Sequence, residues 1–293
     1  MRWTPDGPLD VVEPAALRDV RGFAPSLRRY APPPSLADAV RRFWVPVWSL
    51  PPGETSVQRV LQYPVCQVVV GPDGAQLVGP HAGLSTEELS GSGWVVGAMM
   101  QPAAGLALVG GPVAELTNQR RPLASVAGLD AAGLVGAVAE ALGDDPAEVA
   151  RQQEACALVA EALAVLVPVD DEGRLVNAIV EYVEGEREVQ RVSQVCEKFD
   201  IGERTLQRLT RRRIGLSPKW LVQRRRLHDA ADLLRAGERV DLARVAVELG
   251  YADQAHLTRD FRAVTGVTPG EFSAEPAPEV EEVAQRPSRD HRA

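Results

Sequence analysis

Cysteine, methionine, histidine and aromatic residues are all scarce in this chain. Its 293 residues hold three Cys, three Met and four His, and 5% are aromatic. The cysteines, Cys66, Cys156 and Cys196, are odd in number and far apart, which excludes a disulfide framework and a CxxC metal pair. A reducing cytoplasm is the expected setting. No apolar run approaches the roughly 20 residues that cross a bilayer, so no membrane partner is expected. The start, MRWTPDGPLDVVE, lacks the apolar segment of a signal peptide. Zinc-ligand spacing, a phosphate loop, a Ser/His/Asp set and an HxE deaminase signature are all missing, so neither a cofactor nor enzymatic chemistry is expected.

An excess of positive charge is also missing: the net charge is −8. Its distribution is uneven. Residues 1–173 carry 11 Lys and Arg against 20 Asp and Glu, whereas residues 191–230 carry 11 against 4. An acidic half and a basic patch point to different partners.

Length allows two ordinary domains and a linker. Residues 1–30 read as poorly structured, with Trp3 and Phe23 as docking residues, and APPPS at 31–35 as a stiff connector. From Phe43 to about Val109, short β-branched or aromatic runs (FWVPVWSL, TSVQRVLQY, VCQVVV, AQLVG, WVVGAMM) alternate with turn sequences, as in an antiparallel sheet or barrel. PVAELTN at 112–118 predicts a short helix opened by Pro112. Helices are expected over Ala131–Leu142 and from near Asp145, with Pro146 first, to about Leu166. Their apolar residues, among them Val138, Leu142, Val159 and Leu163, suit either a dimer interface or packing on the preceding domain. PVDDEG at 168–173 reads as the domain boundary. The Pro- and charge-rich stretch 276–293 predicts a disordered tail.

Two helix-turn-helix patterns occupy the last third, Val192–Arg213 and Leu242–Ala263. On a helical wheel, Arg204, Gln207, Arg208, Arg211 and Arg212 share one side, opposite Leu206 and Leu209. Arg reads guanine and Gln reads adenine in a major groove. Arg213 falls on the apolar side and is expected past the helix end. Asp200 sits at the turn, where Asp tolerates a left-handed backbone; Gly250 occupies the corresponding place in the second pattern. There, Leu257, Phe261 and Val264 form the apolar stripe, Ala255, His256, Arg259 and Arg262 face away, and Asp253 is the expected cap. Between the patterns, Ser217 and Pro218 open a helix expected to reach about Arg235. Such a helix is roughly 29 Å long at 1.5 Å per residue, against about 34 Å for one DNA turn. It can therefore hold two reading helices in successive major grooves. On it, Arg224, Arg225 and Arg226 are candidates either for phosphate contacts or for bridging carboxylates within the bundle.

The segments TLQRLTRRRIGLSPKWLVQRRRLHDA and DLARVAVELGYADQAHLTRDFRAVTGVTPGEF resemble the DNA-binding domain of the AraC/XylS family of bacterial transcription regulators. The resemblance spans 174–275 and implies a seven-helix domain with two recognition helices on double-stranded DNA. Carried over by position, the base-reading candidates are Arg204, Gln207, Arg208, Gln254, His256 and Arg259; the helix faces themselves offer Arg211, Arg212, Arg224, Arg225 and Arg262 as phosphate candidates. YAPPPSLADAVRRFW and GGPVAELTNQRRPLASVAG are similar to sensor regions of one branch of that family.

The fold class expected is α+β: a β-rich, barrel-like regulatory domain (1–128), a helical linker or dimerisation segment (129–173) and an all-α tandem helix-turn-helix domain (174–275). Trp44, Trp48, Gln67, Trp94 and Met99 are candidates for an apolar or aromatic effector pocket, with plain core packing as the competing reading. A homodimer and RNA polymerase are further candidate partners. Two alternatives remain open. In one, the N-terminal domain only dimerises or binds a protein; in the other, Cys66 serves alkyl transfer from DNA, although nothing basic in PVCQVVV would activate its thiol.

Overall fold

The computed structural model describes residues 3–9, 16–17, 23–61, 63–236 and 241–274. Strands β1 (Ala16–Leu17), β2 (Ser26–Tyr30), β3 (Val40–Ser49), β4 (Thr55–Leu61), β5 (Gln67–Gly71), β6 (Gly74–Val78), β7 (Leu84–Ser90), β8 (Ser92–Trp94) and β9 (Val96–Met100) come first. Helix α1 (Gly105–Val109) and strand β10 (Arg120–Pro122) follow, then α2 (Ala131–Leu142) and α3 (Val149–Leu163). The rest is helical: α4 (Asp171–Gly185), α5 (Val192–Phe199), α6 (Glu203–Arg213), α7 (Pro218–Ala236), α8 (Leu242–Glu248), α9 (Gln254–Thr265) and α10 (Pro269–Ala274). The fold is α+β, with seven helices, α4 to α10, in its C-terminal part among the described residues.

The larger sheet runs β10-β6-β5-β9-β3-β2, with β8 also paired to β3; the smaller is β1-β4-β7. Every pairing is antiparallel. Side chains alternate between faces along a strand. One face of the larger sheet carries Phe43, Val45, Val68, Val70, Val96, Ala98 and Met100, all fully buried. Helices α2 and α3 cover it through Val138, Leu142, Val159 and Leu163, in one continuous core. Each such side chain contributes roughly 1.5–3 kcal/mol by leaving water. Of the two roles open for this helical segment, the structure gives it intramolecular packing.

Several local expectations change. Within 1–30, Ser26–Tyr30 is a strand paired to β3, Tyr30 is fully buried and donates to Gln152 Oε1 at 2.7 Å, and Trp3 lies 6.1 Å from the Phe43 ring. The second linker helix begins at Val149, because the Asp145 carboxylate accepts from Ala147 N at 3.1 Å and folds Pro146 into a turn. PVAELTN makes a single 3-10 turn, Val113–Glu115, with Pro112 as its cap. β7, LSTEELS, was unexpected: it is polar and pairs only with β4, so it carries no continuous apolar signal. The tail at 276–293 lies outside the described residues.

In the C-terminal part, α4 contributes Val176, Ile179, Val180 and Val183 to a bundle with Val195, Leu206, Leu209, Leu221 and Val222. A second bundle joins Leu227, Ala230, Ala231 and Leu234 of α7 to Val245, Leu249, Leu257, Phe261 and Phe272. Helix α7 therefore supplies core to both. Among the described residues no helix is long and apolar enough to cross a membrane, and no group of three His, Cys, Asp or Glu could hold a metal.

Candidate nucleic-acid interface

The first helix-turn-helix unit is α5, a turn, and α6. Gln194 Oε1 accepts from the backbone N–H groups of Gln190 and Arg191, both at 2.9 Å, and fixes the entry to α5. Asp200 ends α5 in the left-handed region, at φ +50° and ψ 47°. Along α6, Leu206, Leu209 and Thr210 are buried, while Glu203, Arg204, Gln207, Arg208, Arg211 and Arg212 are exposed. Gln207 donates to Glu203 Oε1 at 3.0 Å, one turn back on the same face.

Arg213 is the last residue of α6, not beyond it, and is only 4% exposed. It is buried because α4 supplies carboxylates: Arg213 Nε donates to Glu172 at 2.8 Å and Nη2 to Asp170 at 2.5 Å. Arg213 holds the Asp170 carboxyl below the usual carboxylate range. Arg212 also reaches Glu172, at 3.0 Å, so its charge is shared between α4 and the outer face. The acidic run read as a break is thus the start of α4, with Asp170 accepting from Gly173 N at 2.7 Å. Sequence reasoning missed its second task as an anchor for the end of α6.

The second unit is α8, Gly250 at φ +70°, and α9. Asp253 accepts from His256 N at 2.7 Å and caps α9. Leu257 and Phe261 are fully buried; Gln254, Ala255, Arg259 and Arg262 are exposed. His256 is half-buried, edge-on to Tyr251 at 5.2 Å, with Nε2 3.7 Å from the Asp260 carboxylate. Gln223 also donates to that carboxylate, at 2.8 Å.

Helix α7 is 19 residues long and is capped by Ser217, whose Oγ accepts from Trp220 N at 3.1 Å. Arg224 and Arg225 were candidates for phosphate contacts or internal bridges, and both turn inward, at 4% and 5% exposure. Arg225 bonds Asp229 at 2.7 Å and the carbonyls of Arg187 and Val189 at 2.9 Å each, tying α7 to the α4–α5 connection. Burial lowers the Arg225 pKa and raises that of Asp229. Arg224 lies 4.6 Å over the Tyr63 ring, against the N-terminal domain. Both sit on the side of α7 that other elements cover, so the internal reading replaces the phosphate one.

The N-terminal domain seats on this assembly. Trp220 Nε1 donates to Ala82 O at 2.8 Å, Thr117 Oγ1 to Gly215 O at 3.0 Å, and Arg41 pairs with Glu184 at 2.7 Å. Gly215 has φ +82°, and a Cβ there would stand 2.5 Å from Thr117 Oγ1, so both backbone and contact require glycine.

The effector candidates divide between the two faces of the larger sheet. Trp44 and Trp48 lie over Gly97 and Gly93, their cross-strand partners, so closely that a Cβ on either glycine would overlap the indole. Met99 and Gln67 are register partners and share that face, and Arg42 Nη2 approaches Met99 Sδ at 3.2 Å. Trp94 pairs with Val47 and packs against the helix-covered core, on the other face. The smaller sheet stands opposite the Trp44 face. Arg120 is paired with Glu87 of β7, Trp48 Nε1 donates to Ser90 O at 3.2 Å, and Ser56 and Ser85 are buried. The indole N–H of Trp44 is buried with no hydrogen-bond partner among the described residues. Cys66 is 2% exposed, and burial pushes its thiol up to about 12.

Comparison with known proteins gives two family matches. Residues 195–275 match a helix-turn-helix domain, and residues 28–122 match a domain of unknown function designated DUF6597. No curated protein matches the chain. Among solved structures, ToxT from Vibrio cholerae O395 is similar at 13% identity and a TM-score of 0.42, covering 79% of this chain and 96% of that one. The unsaturated-fatty-acid-bound ToxT of strain SCE256 is similar at 12% identity and a TM-score of 0.38, over 79% and 94%. The C-terminal domain of AraT, a response regulator from Geobacillus stearothermophilus, is similar at 20% identity and a TM-score of 0.33, over 40% and 98%.

Proposed function

We propose that this chain is a sequence-specific transcription regulator of the AraC type that reads two adjacent major-groove segments of one duplex, supported by the match of residues 195–275 to a helix-turn-helix domain. The observation that carries this reading is the pair α6 and α9. Each presents an exposed polar face over a buried apolar stripe, and one 19-residue helix joins the two units. A rod of about 29 Å suits grooves about 34 Å apart. Arg204, Gln207 and Arg208 on α6, and Gln254, His256 and Arg259 on α9, read base edges. Arg211, Arg212 and Arg262 meet phosphate oxygens.

Residues 1–128 act as the regulatory domain, 129–173 brace it, and 174–275 read DNA in the cytoplasm. A small apolar or aromatic effector binds the face carrying Trp44, Trp48, Met99 and Gln67. The free Trp44 N–H supports this, since a buried donor costs about 1–3 kcal/mol until an acceptor meets it. Trp94 is not part of that set. The alkyl-transfer alternative is disfavoured, because its nucleophile would be a thiolate and burial holds the Cys66 thiol in its protonated form. One chain carries two reading heads, so neither a palindromic site nor a homodimer is required.

Selection of bound duplexes from a random pool by the full-length chain, at a stated salt concentration, tests the reading. Two short enriched blocks about one helical turn apart are expected. A single block, or no enrichment with and without candidate aromatic effectors, would overturn it.

A further inference from the structure

A cleft of about 380 Å³ opens between the two helix-turn-helix units. Its walls carry Arg191 at the entry to α5, Lys219, Gln223 and Arg226 on α7, and His256 and Asp260 on α9. Three permanent cations thus converge on one carboxylate. That carboxylate is already engaged by Gln223 at 2.8 Å and stands 3.7 Å from His256 Nε2.

Arg226 places a fixed positive charge in the wall of the cleft. Its guanidinium lies 3.9 Å from the Tyr251 ring centroid, which fixes its plane. Its Nε and Nη2 are nevertheless buried with no hydrogen-bond partner among the described residues. That edge is closed to solvent, so Arg226 acts on an anion in the cleft through its charge, in a site of low dielectric, rather than through direct bonds. Arg191 and Lys219 are exposed at the cleft rim and add charge that a phosphodiester would neutralise.

The position of the cleft identifies the phosphate. His256 belongs both to the cleft and to the first turn of α9, so the cleft opens beside the second reading helix. Arg191 and Val192 form its opposite lip at the start of α5, the helix that in such units crosses the DNA backbone. Between two major-groove segments on one side of a duplex lies a minor groove bordered by phosphates. We infer that this cleft grips the DNA backbone between the two segments read by α6 and α9, through contacts of Arg191 and Lys219 backed by the charge of Arg226. The inference rests on the DNA-reading proposal above and deepens it: the backbone clamp fixes the register of both reading helices and carries no sequence preference of its own.

The experiment uses the full-length chain and its selected duplex. Central phosphates, between the two blocks, are replaced one at a time by uncharged methylphosphonates, and Kd is measured against KCl. Neutralising a clamped phosphate should weaken binding several-fold and reduce the slope of log K against log salt by about 1. The double variant Arg191→Gln/Lys219→Gln should bind every duplex more weakly and should no longer respond to that replacement. Both positions are exposed, so the variant should keep the parent melting temperature; Arg226, packed on Tyr251, is left intact. The site would be overturned if the parent bound the neutralised duplex undiminished, or if the variant lost the same factor on both duplexes. Inorganic phosphate at constant ionic strength separates the sources. If it raised the melting temperature of the DNA-free parent but not of the variant, with no central-phosphate effect on DNA, the cleft would be a free-anion site instead. Absence of binding to any duplex would overturn the regulator reading itself. Loss of the central effect alone, with Arg208→Ala still weakening the selected site, would overturn only the clamp.

Discussion

Arginines at similar sequence positions have opposite fates here, and that decides what each substitution does. Arg208 is exposed on α6, whereas Arg225 on α7 is enclosed and makes three bonds within the fold. Replacing Arg208 by Ala should leave the urea midpoint unchanged, cost about 1–3 kcal/mol at the selected DNA site and relax specificity at one base pair. Binding titrations on the site and its single-base variants check this. Replacing Arg225 by Ala should leave the salt slope of DNA binding intact and lower stability by about 3 kcal/mol in urea, since it strands Asp229 and two carbonyls. The run QRRRL announces charge, but not which arginine turns inward. That depends on Asp229, one turn on, and on Arg187, Val189 and Tyr63, which lie 36 to 161 residues away from the helix positions they meet and share no pattern with them.

At the scale of elements, turns and caps were legible, and edges were not. Asp200 stands at φ +50° where the first unit bends, and Gly250 at φ +70° where the second does, as the residue types imply. Asp200→Ala should therefore cost about 1 kcal/mol in chemical denaturation, because alanine gains nothing from a left-handed backbone. Asp200→Gly should cost little. Helix α2 spans the expected Ala131–Leu142, and α9 follows its apolar periodicity and its expected cap, Asp253. Strand β7 escaped notice because its side chains alternate polar with polar, and β10 because it is three residues long and contains Pro122. In both, pairing with a neighbouring strand supplies what local sequence does not. Trp94 shows the same limit: an aromatic in a strand signals burial, but register with Val47 decides on which face.

For the whole molecule, the link between its two halves matters most. Asp170 and Glu172 of α4 hold Arg212 and Arg213 at the end of a reading helix, while Trp220 and Arg224 of α7 contact Ala82 and Tyr63 of the sheet domain. An effector that shifts the sheet domain thereby has a mechanical route to α6 and α7. Arg213 depresses the Asp170 pKa in the folded chain, so this contact stabilises fully above the unfolded value near ~3.9 and is lost as pH falls through the lower folded value. Asp170→Asn should lower the melting temperature at pH 7, and the two chains should converge as pH falls through the lowered folded value; a constant difference across the acid range would show that the contact carries no stability. By itself, the amino-acid sequence determined the tandem reading units, their turns, their caps and the rod between them. Those features depend on residues within a helical turn or two, where periodicity and backbone preference act directly. Only the tertiary structure decided the inward turn of Arg224 and Arg225, the separation of Trp94 from Trp44, the acidic anchor of α6 and the cationic cleft. Each of these is a meeting of segments distant in the chain, set by packing and by the pairing of buried charge.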